Sequence, residues 1–370
     1  MKVEIHTLFQ YLLDTTEAKP EAFIGFSLSE SPKLGDFLAD LDPELPLDWN
    51  QRSFRGLPEL RQAGLTDIGQ PDDVLITAGA AEANYLAFLQ LVQPGDEVVV
   101  ERPGWPQAEV LAKAVGAKIV RVDRDEAQGW ALPLDSLEHA ITDKTKLIFL
   151  TNPNNPTGRM MPEAELRAIA NMADRVGAWL LVDEVYAGLE WAGPRASAIA
   201  GLYPRGITTG SVSKALGLQG LRTGWLICPD AMLVQDAVIL RENASEIMNI
   251  LGETIAEIAL RPARLTAALS SARQTALETL GRLDTYIAKE PGLSWHSPQA
   301  GLIGLARLAN DIDSDAFAQR LLADPYRTFL LPGSCYGLPN HIRVGVGGGA
   351  NSQLDLGLTH MSELLANWPN

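Results

Sequence analysis

From about residue 57 to residue 230, short apolar runs alternate with amphipathic stretches. No other feature narrows the possible folds of this chain so far. Residues 73–77 (DVLIT), 96–101 (DEVVVE), 118–122, 147–151 (LIFLT), 178–183 (AWLLVD), 207–211 and 224–228 read as strands. Helical patterns separate several of them, at 82–92, 107–115 and 162–176. A strand that is apolar along its whole length has no face to offer water, so helices must cover both sides of the sheet. The expectation is an α/β fold built on a mainly parallel, seven-stranded sheet between helices.

After Pro229 the pattern turns mostly helical, at 231–242 and from 253 to about 288. Residues 294–306, 328–332 and 342–346 then read as strands of a smaller α+β layer, closed by a helix over 354–366. The first 50 residues do not extend the rhythm and are expected to pack beside the C-terminal part. The expected organisation is an N-terminal segment (1–50), a large domain (51–250) and a small C-terminal domain (251–370).

The 370 residues, 46% of them hydrophobic, supply a core for a large domain and a smaller one. A net charge of −16 opposes binding to nucleic acid or to an anionic membrane. Cys228 and Cys335 are the only cysteines, too few and too far apart for a disulfide framework or a zinc site. They fit a reduced, cytoplasmic setting. No two of the five histidines stand at metal spacing, so no metal is expected, and His139 and His341 read as ordinary residues. The N-terminal apolar run is short and broken by charge, unlike a signal peptide or a membrane span.

In open α/β sheets, ligands collect at the carboxyl ends of strands. Asn155 follows LIFLT, Asp183 ends AWLLVD, and Ser211 ends a strand three residues before Lys214. Taken alone, Asp183 reads as a helix cap, Asn155 as a turn residue, Tyr186 and Trp105 as core aromatics, and Lys214 as a solvated charge. Their convergence on one sheet edge makes the chemical reading stronger than the structural one. A lysine amine can form a Schiff base with an aldehyde, and a carboxylate such as Asp183 can pair with a protonated pyridine nitrogen. Gly79-Ala80-Ala81 opens a helix, where free amides favour an anion. Ser211, Ser213 and Arg222 add hydroxyls and a bidentate cation suited to a phosphate. Those requirements together describe pyridoxal 5′-phosphate (PLP). Arg343 sits in a strand pattern where an arginine needs a carboxylate, either an internal partner or a substrate's α-carboxylate.

These motifs resemble the fold-type I PLP-dependent enzymes, specifically the class I/II aminotransferases. The resemblance runs from GLPELR (56–61) to Arg343. It rests above all on SVSKALGLQGLRTGW and TNPNNPTG, supported by PGDEVVVERPGWP, LVDEVY and PGSCYG. It implies that Lys214 is the Schiff-base lysine and general acid/base, and that Asp183 pairs the pyridine nitrogen. Asn155 and Tyr186 then contact the phenolic oxygen, and Trp105 stacks on the ring. Ala80, Ala81, Ser211, Ser213 and Arg222 cradle the phosphate, and Arg343 holds the carboxylate of a small amino-acid substrate. It also implies a homodimer with the site at the subunit interface.

Two departures from the family pattern lie on the substrate side. The stretch 49–55 (WNQRSFR) has no tyrosine, where family members carry one that reaches the neighbouring subunit's phosphate. A glycine-rich stretch near the N-terminus is replaced by SLSESP (27–32), which puts Ser29 where a glycine amide would meet the substrate carboxylate. EANYLAFLQLVQPGDEVVV and the Ser-Lys-Ala-x-Gly-Leu-x-Gly-Leu-Arg run also look like the branch of capreomycidine and enduracididine synthases. That likeness implies, as an alternative to transamination, a lyase or cyclase acting on a hydroxylated arginine. A cyclase needs acidic groups facing a guanidinium, for which Glu4, Glu30 and Glu246 are candidates. A non-catalytic binding module with this fold is the remaining reading, and the intact Lys214 opposes it.

Overall fold

The computed structural model describes residues 2–48, 53–62, 65, 69–348 and 353–369. Its strands up to the middle of the chain are β1 (Ala22–Phe23), β2 (Val74–Thr77), β3 (Glu97–Arg102), β4 (Lys118–Asp123), β5 (Thr145–Thr151) and β6 (Trp179–Asp183). They continue with β7 (Gly206–Ser211), β8 (Gly224–Ile227), β9 (Leu293–Trp295), β10 (Ile303–Leu308), β11 (Thr328–Phe329), β12 (Leu331–Pro332) and β13 (His341–Gly345). The helices of the first half are α1 (Thr7–Asp14), α2 (Pro58–Gln62), α3 (Ala80–Leu91), α4 (Gln107–Ala114), α5 (Leu134–Ala140) and α6 (Glu163–Val176). After them come α7 (Ile199–Leu202), α8 (Ala231–Glu242), α9 (Ile250–Leu260), α10 (Pro262–Ile287), α11 (Ser314–Leu322) and α12 (Leu354–Ala366).

Seven strands form the large sheet in the order β2-β8-β7-β6-β5-β3-β4. Only β8 runs antiparallel to its neighbours. Both faces are buried, as the uninterrupted apolar runs require. Successive residues of one strand serve opposite layers. Val98, Val100 and Phe149 pack with α3, α4 and α8, while Val99, Ile148 and Leu150 pack with α6. The helix α6 ends on Gly177 in the left-handed region (φ +69), a conformation that closes a helix at little steric cost with glycine.

The smaller layer is an antiparallel sheet, β12-β13-β10-β9, packed against α10, α11 and α12 through residues such as Leu283, Phe317 and Leu364. The single strand expected over 294–306 is in fact two, β9 and β10. The segment between them is a loop (Pro298 and Gly301) whose amides at Gln299 and Ala300 donate to the Gly158 carbonyl. The stretch 328–332 is likewise split, β11 pairing with β1 and β12 joining the antiparallel sheet.

The N-terminal segment packs on both layers. β1 pairs in parallel with β11, and Ile24 enters the small-layer core, whereas Phe37 joins the core of the large sheet. The residues Ile255, Ala256 and Ile258 of α9 also belong to the large-sheet core. We therefore propose a division within α10 rather than at residue 250.

Candidate functional site

Three strands bring their last residues to one edge. Thr151 is opposite Asp183 in the β5–β6 ladder, and Asp183 is opposite Thr209 in the β6–β7 ladder. Register alone thus gathers the turn after β5, the carboxylate at the end of β6 and the loop carrying Lys214 after β7.

Asp183 is buried, with both oxygens occupied. Asn84 Nδ2 donates to Oδ2 at 3.0 Å, and the Val185 amide donates to Oδ1 at 3.3 Å. Burial pushes its pKa up to about 6, and those hydrogen bonds and Lys214 only partly oppose this. Lys214 is half-buried, and its pKa is pushed down to about 8, first by burial and then by Arg343, against the pull of Asp183. A carboxylate raised and an amine lowered in one cleft are a feature of chemically active sites.

Tyr186 is fully buried and donates to Ser27 Oγ at 3.0 Å, and Lys214 Nζ donates to the same oxygen at 3.3 Å. Burial raises the Tyr186 pKa. Asn155 lies in the turn after β5, where Arg343 Nη1 donates to its Oδ1 at 3.3 Å, leaving its Nδ2 available as a donor. The turn itself is clamped from below. The Glu101 carboxylate accepts from the Thr151 amide and from Asn154 Nδ2, while the buried Arg124 donates to its other oxygen.

Arg343, only 4% exposed, has no carboxylate partner among the described residues. It donates to the Tyr336 hydroxyl at 2.6 Å and to the Gly25 carbonyl at 2.8 Å. Its Nε is buried with no acceptor among the described residues, and the Ser29 hydroxyl is also buried and unpartnered. Buried donors without partners are costly in a folded chain. A carboxylate placed at Arg343 relieves that cost.

The anion cradle is assembled from separate segments. Gly79 (φ +84) precedes α3, so the amides of Ala80 and Ala81 lie in the first turn, where a helix has no internal acceptors for them. A Cβ on Gly79 would sit 2.5 Å from Arg222 Nη2, so the guanidinium lies directly against this backbone. Arg222 is itself held by the carbonyls of Gln219 and Ala78. Ser211 and Ser213 are buried, and the Ser213 amide donates to Ser211 Oγ.

Trp105 is half-buried and meets His6 edge-on, with ring centroids 5.6 Å apart. Its indole N–H donates to Gln107 Oε1, which also accepts from Asn84 Nδ2. A polar chain thus connects Trp105 to Asp183 through Gln107 and Asn84, with Thr209 donating to Asn84 Oδ1 at 2.8 Å. Neither Asn84 nor Gln107 was expected from the sequence, nor were Ser27 and Tyr336. Asn84 did carry a signal, as an amide within the apolar helix AAEANYLAFLQL. Ser27 shares the period-two pattern of Ser29, but nothing in the sequence marks Gln107.

Of the acidic candidates for a guanidinium partner, Glu4 is in an exposed ion pair with Lys113 at 2.6 Å. Glu30 is exposed. Residues 49–52 of the stretch that lacks a tyrosine lie outside the described residues.

The donor set fits PLP. It offers a half-buried lysine amine of lowered pKa, a buried carboxylate for a pyridine nitrogen, donors for a phenolic oxygen and a glycine-floored cradle beside a guanidinium. Among the described residues, no helix is long and apolar enough to cross a membrane.

The family model "Aminotransferase class I and II" matches residues 51–360. Capreomycidine synthase of Streptomyces vinaceus is 30% identical over 339 residues, covering 89% of this chain and 86% of its own. The arginine–pyruvate transaminase of Pseudomonas aeruginosa is 30% identical, covering 74% of this chain and 70% of its own. Among solved structures, a PLP-dependent aminotransferase from Streptococcus suis superposes with a TM-score of 0.91 at 26% identity over the full length of both chains. A PLP-dependent cyclase, OrfR, shares the fold with a TM-score of 0.88 at 24% identity, covering 100% of this chain and 99% of its own.

Proposed function

Because the chain belongs to the class I and II aminotransferase family and is a PLP-dependent aminotransferase, we propose that Lys214, Asp183 and Arg343 carry its transfer of an amino group from an α-amino acid. The supporting observation is the cluster in which the half-buried Lys214 amine meets the buried Asp183 carboxylate, Tyr186 and Arg343.

Bound here, PLP supplies an aldehyde that carries the amino group and a ring that accepts the electron pair left when the α-proton departs. Lys214 is the residue that bears the cofactor and, when free, moves the proton at Nζ. A pKa near 8 leaves part of the amine neutral and able to accept that proton at physiological pH. Asp183 holds the pyridine nitrogen, and its hydrogen bonds from Asn84 and Val185 fix the carboxylate plane. Tyr186 and Asn155 donate toward the phenolic oxygen, and Trp105 supplies a flat wall for the ring. Ala80, Ala81, Ser211, Ser213 and Arg222 hold the phosphate. Arg343 takes the substrate's α-carboxylate, with Ser29 as a further donor.

The test is chemical. Borohydride reduction of the PLP-loaded protein should leave a phosphopyridoxyl group on Lys214, located by peptide mass. Lys214→Ala should lose both that label and turnover; a Lys214→Ala variant of near wild-type rate would remove the assignment.

A second reading is a lyase or cyclase acting on a hydroxylated arginine-like substrate. It is favoured by the 30% identity to capreomycidine synthase, which spans more of this chain than the arginine–pyruvate transaminase does. Product analysis with arginine and its hydroxylated forms separates the two readings. A cytoplasmic homodimer completes the proposal. Exposed Phe9, Leu13, Leu34, Leu38, Met232 and Ile239 are apolar surface that a second copy would cover, and the free thiols of Cys228 and Cys335 fit a reducing compartment. A monomer by light scattering would overturn the dimer.

A further inference from the structure

The segment 25–30 crosses the site in extended form, with residues 25, 27 and 29 buried and residues 26 and 28 less so. The Gly25 carbonyl accepts from Arg343, and the Ser29 amide donates to the Lys214 carbonyl. Three glycines make room for it. A Cβ on Gly345, Gly347 or Gly217 would collide with the carbonyl oxygen of Phe26, Leu28 or Glu30 respectively. On the other side, Phe26 stacks on Phe329 with centroids 5.0 Å apart, which fixes which face of the segment turns inward.

The central residue of this strap, Ser27, is 3% exposed. Its Oγ accepts from Tyr186 Oη at 3.0 Å and from Lys214 Nζ at 3.3 Å. A hydroxyl oxygen has two lone pairs, so one serine is enough to hold both donors. We propose that Ser27 is a positioning residue, whose hydroxyl holds the Lys214 amine beside Tyr186 and favours the protonated form of that amine.

This inference rests on Lys214 being the lysine that bears the cofactor. Burial, Arg343 and Arg222 disfavour the ammonium, and Asp183 favours it. Ser27 adds an acceptor on the favouring side, and hydrogen bonding to the charged form raises the pKa of a base. Tyr186 donates to the same oxygen rather than to the amine, so it orients Ser27 without competing for Nζ.

The experiment uses the full chain freed of cofactor and mixed with PLP from pH 6 to 10. The rate of covalent capture is followed by absorbance, and its position is confirmed by borohydride reduction and peptide mass. Only the neutral amine attacks, so the rate rises with a midpoint that reports the amine's pKa, near 8 in the native chain. In Ser27→Val the midpoint should fall by about one unit, a tenfold change in the ratio of protonated to neutral amine at fixed pH. In Ser27→Thr, nearly the same shape with a hydroxyl, it should stay at the native value. Equal midpoints for the Val and Thr variants would overturn the proposal. Ser27→Ala gives the same comparison if the branched variants fold poorly by circular dichroism. Capture in the native chain at a lysine other than Lys214 would instead overturn the parent assignment, so the two failures are distinct.

Discussion

Asp183→Asn should change how the stability of the cofactor-free protein depends on pH. The carboxyl's pKa rises from its ordinary 3.8 to about 6, a displacement caused first by burial. Between those values the folded chain binds a proton that the unfolded chain has released. Stability therefore falls as pH rises through that window. The shift of about 2 units corresponds to about 3 kcal/mol in full, of which roughly 2 kcal/mol is lost between pH 4 and pH 7. The amide cannot ionise, so the variant escapes this loss. It has its own cost, because Asn84 Nδ2 and the Val185 amide each donate to a different oxygen of Asp183. An amide offers only one acceptor, and the donor left over costs about 1–3 kcal/mol at any pH. Urea unfolding at pH 4, 5, 6 and 7 separates the two contributions. Relative to the native chain, the variant should gain roughly 2 kcal/mol across that range. Glu184, also pushed up by burial, to about 7, is present in both proteins and cancels. A stability difference that stays constant from pH 4 to pH 7 would refute the reasoning, because it would mean that burial does not strain the Asp183 carboxylate. Turnover of the same variant should fall sharply, since the residue that costs stability is the one assigned to the pyridine nitrogen.

Other substitutions address other parts of the site. Arg343→Ala removes charge-assisted contacts worth about 1.5–3 kcal/mol each, so the KM for the amino acid should rise roughly 100-fold with a smaller change in kcat. An unchanged KM in steady-state assays would reassign Arg343 to structure. Gly79→Ala places a Cβ 2.5 Å from Arg222 Nη2 at φ +84. With about 1–2 kcal/mol of left-handed strain added, PLP affinity by equilibrium dialysis should weaken about tenfold; native affinity would show that the cradle lies elsewhere. Light scattering should return the mass of two chains, and a monomer would separate the site from any subunit interface.

The parts of this site that could be read from the sequence are those that end strands. Asn155, Asp183 and Ser211 each follow an apolar run, and a parallel sheet aligns such ends by register. Lys214 and Arg222 stood out because a charge flanked by small residues after a strand has few structural uses. Residues whose role depends on packing between distant segments left little trace. Ser27 reaches Lys214 across 187 residues of sequence, and no periodicity encodes that contact. Tyr336 and Arg343 are only seven residues apart, but their pairing depends on β12 folding back on β13. Gln107 connects Trp105 to Asn84 through an amide that reads as an ordinary first-turn residue of α4. The loop between β9 and β10 was also hidden, because Pro298 and Gly301 sit inside a stretch otherwise apolar enough to read as one strand.

The most direct test of the central claim is a single-turnover experiment on the PLP-loaded protein without added keto acid. The amino-acid panel includes aspartate, valine, arginine and the hydroxylated arginines of the second reading. An aminotransferase must stop after one event. The prediction is one equivalent of keto acid per chain, with the cofactor left in its amine form and its visible absorbance lost. Repeated turnover with the absorbance restored, releasing ammonia, water or a cyclised product, would contradict it.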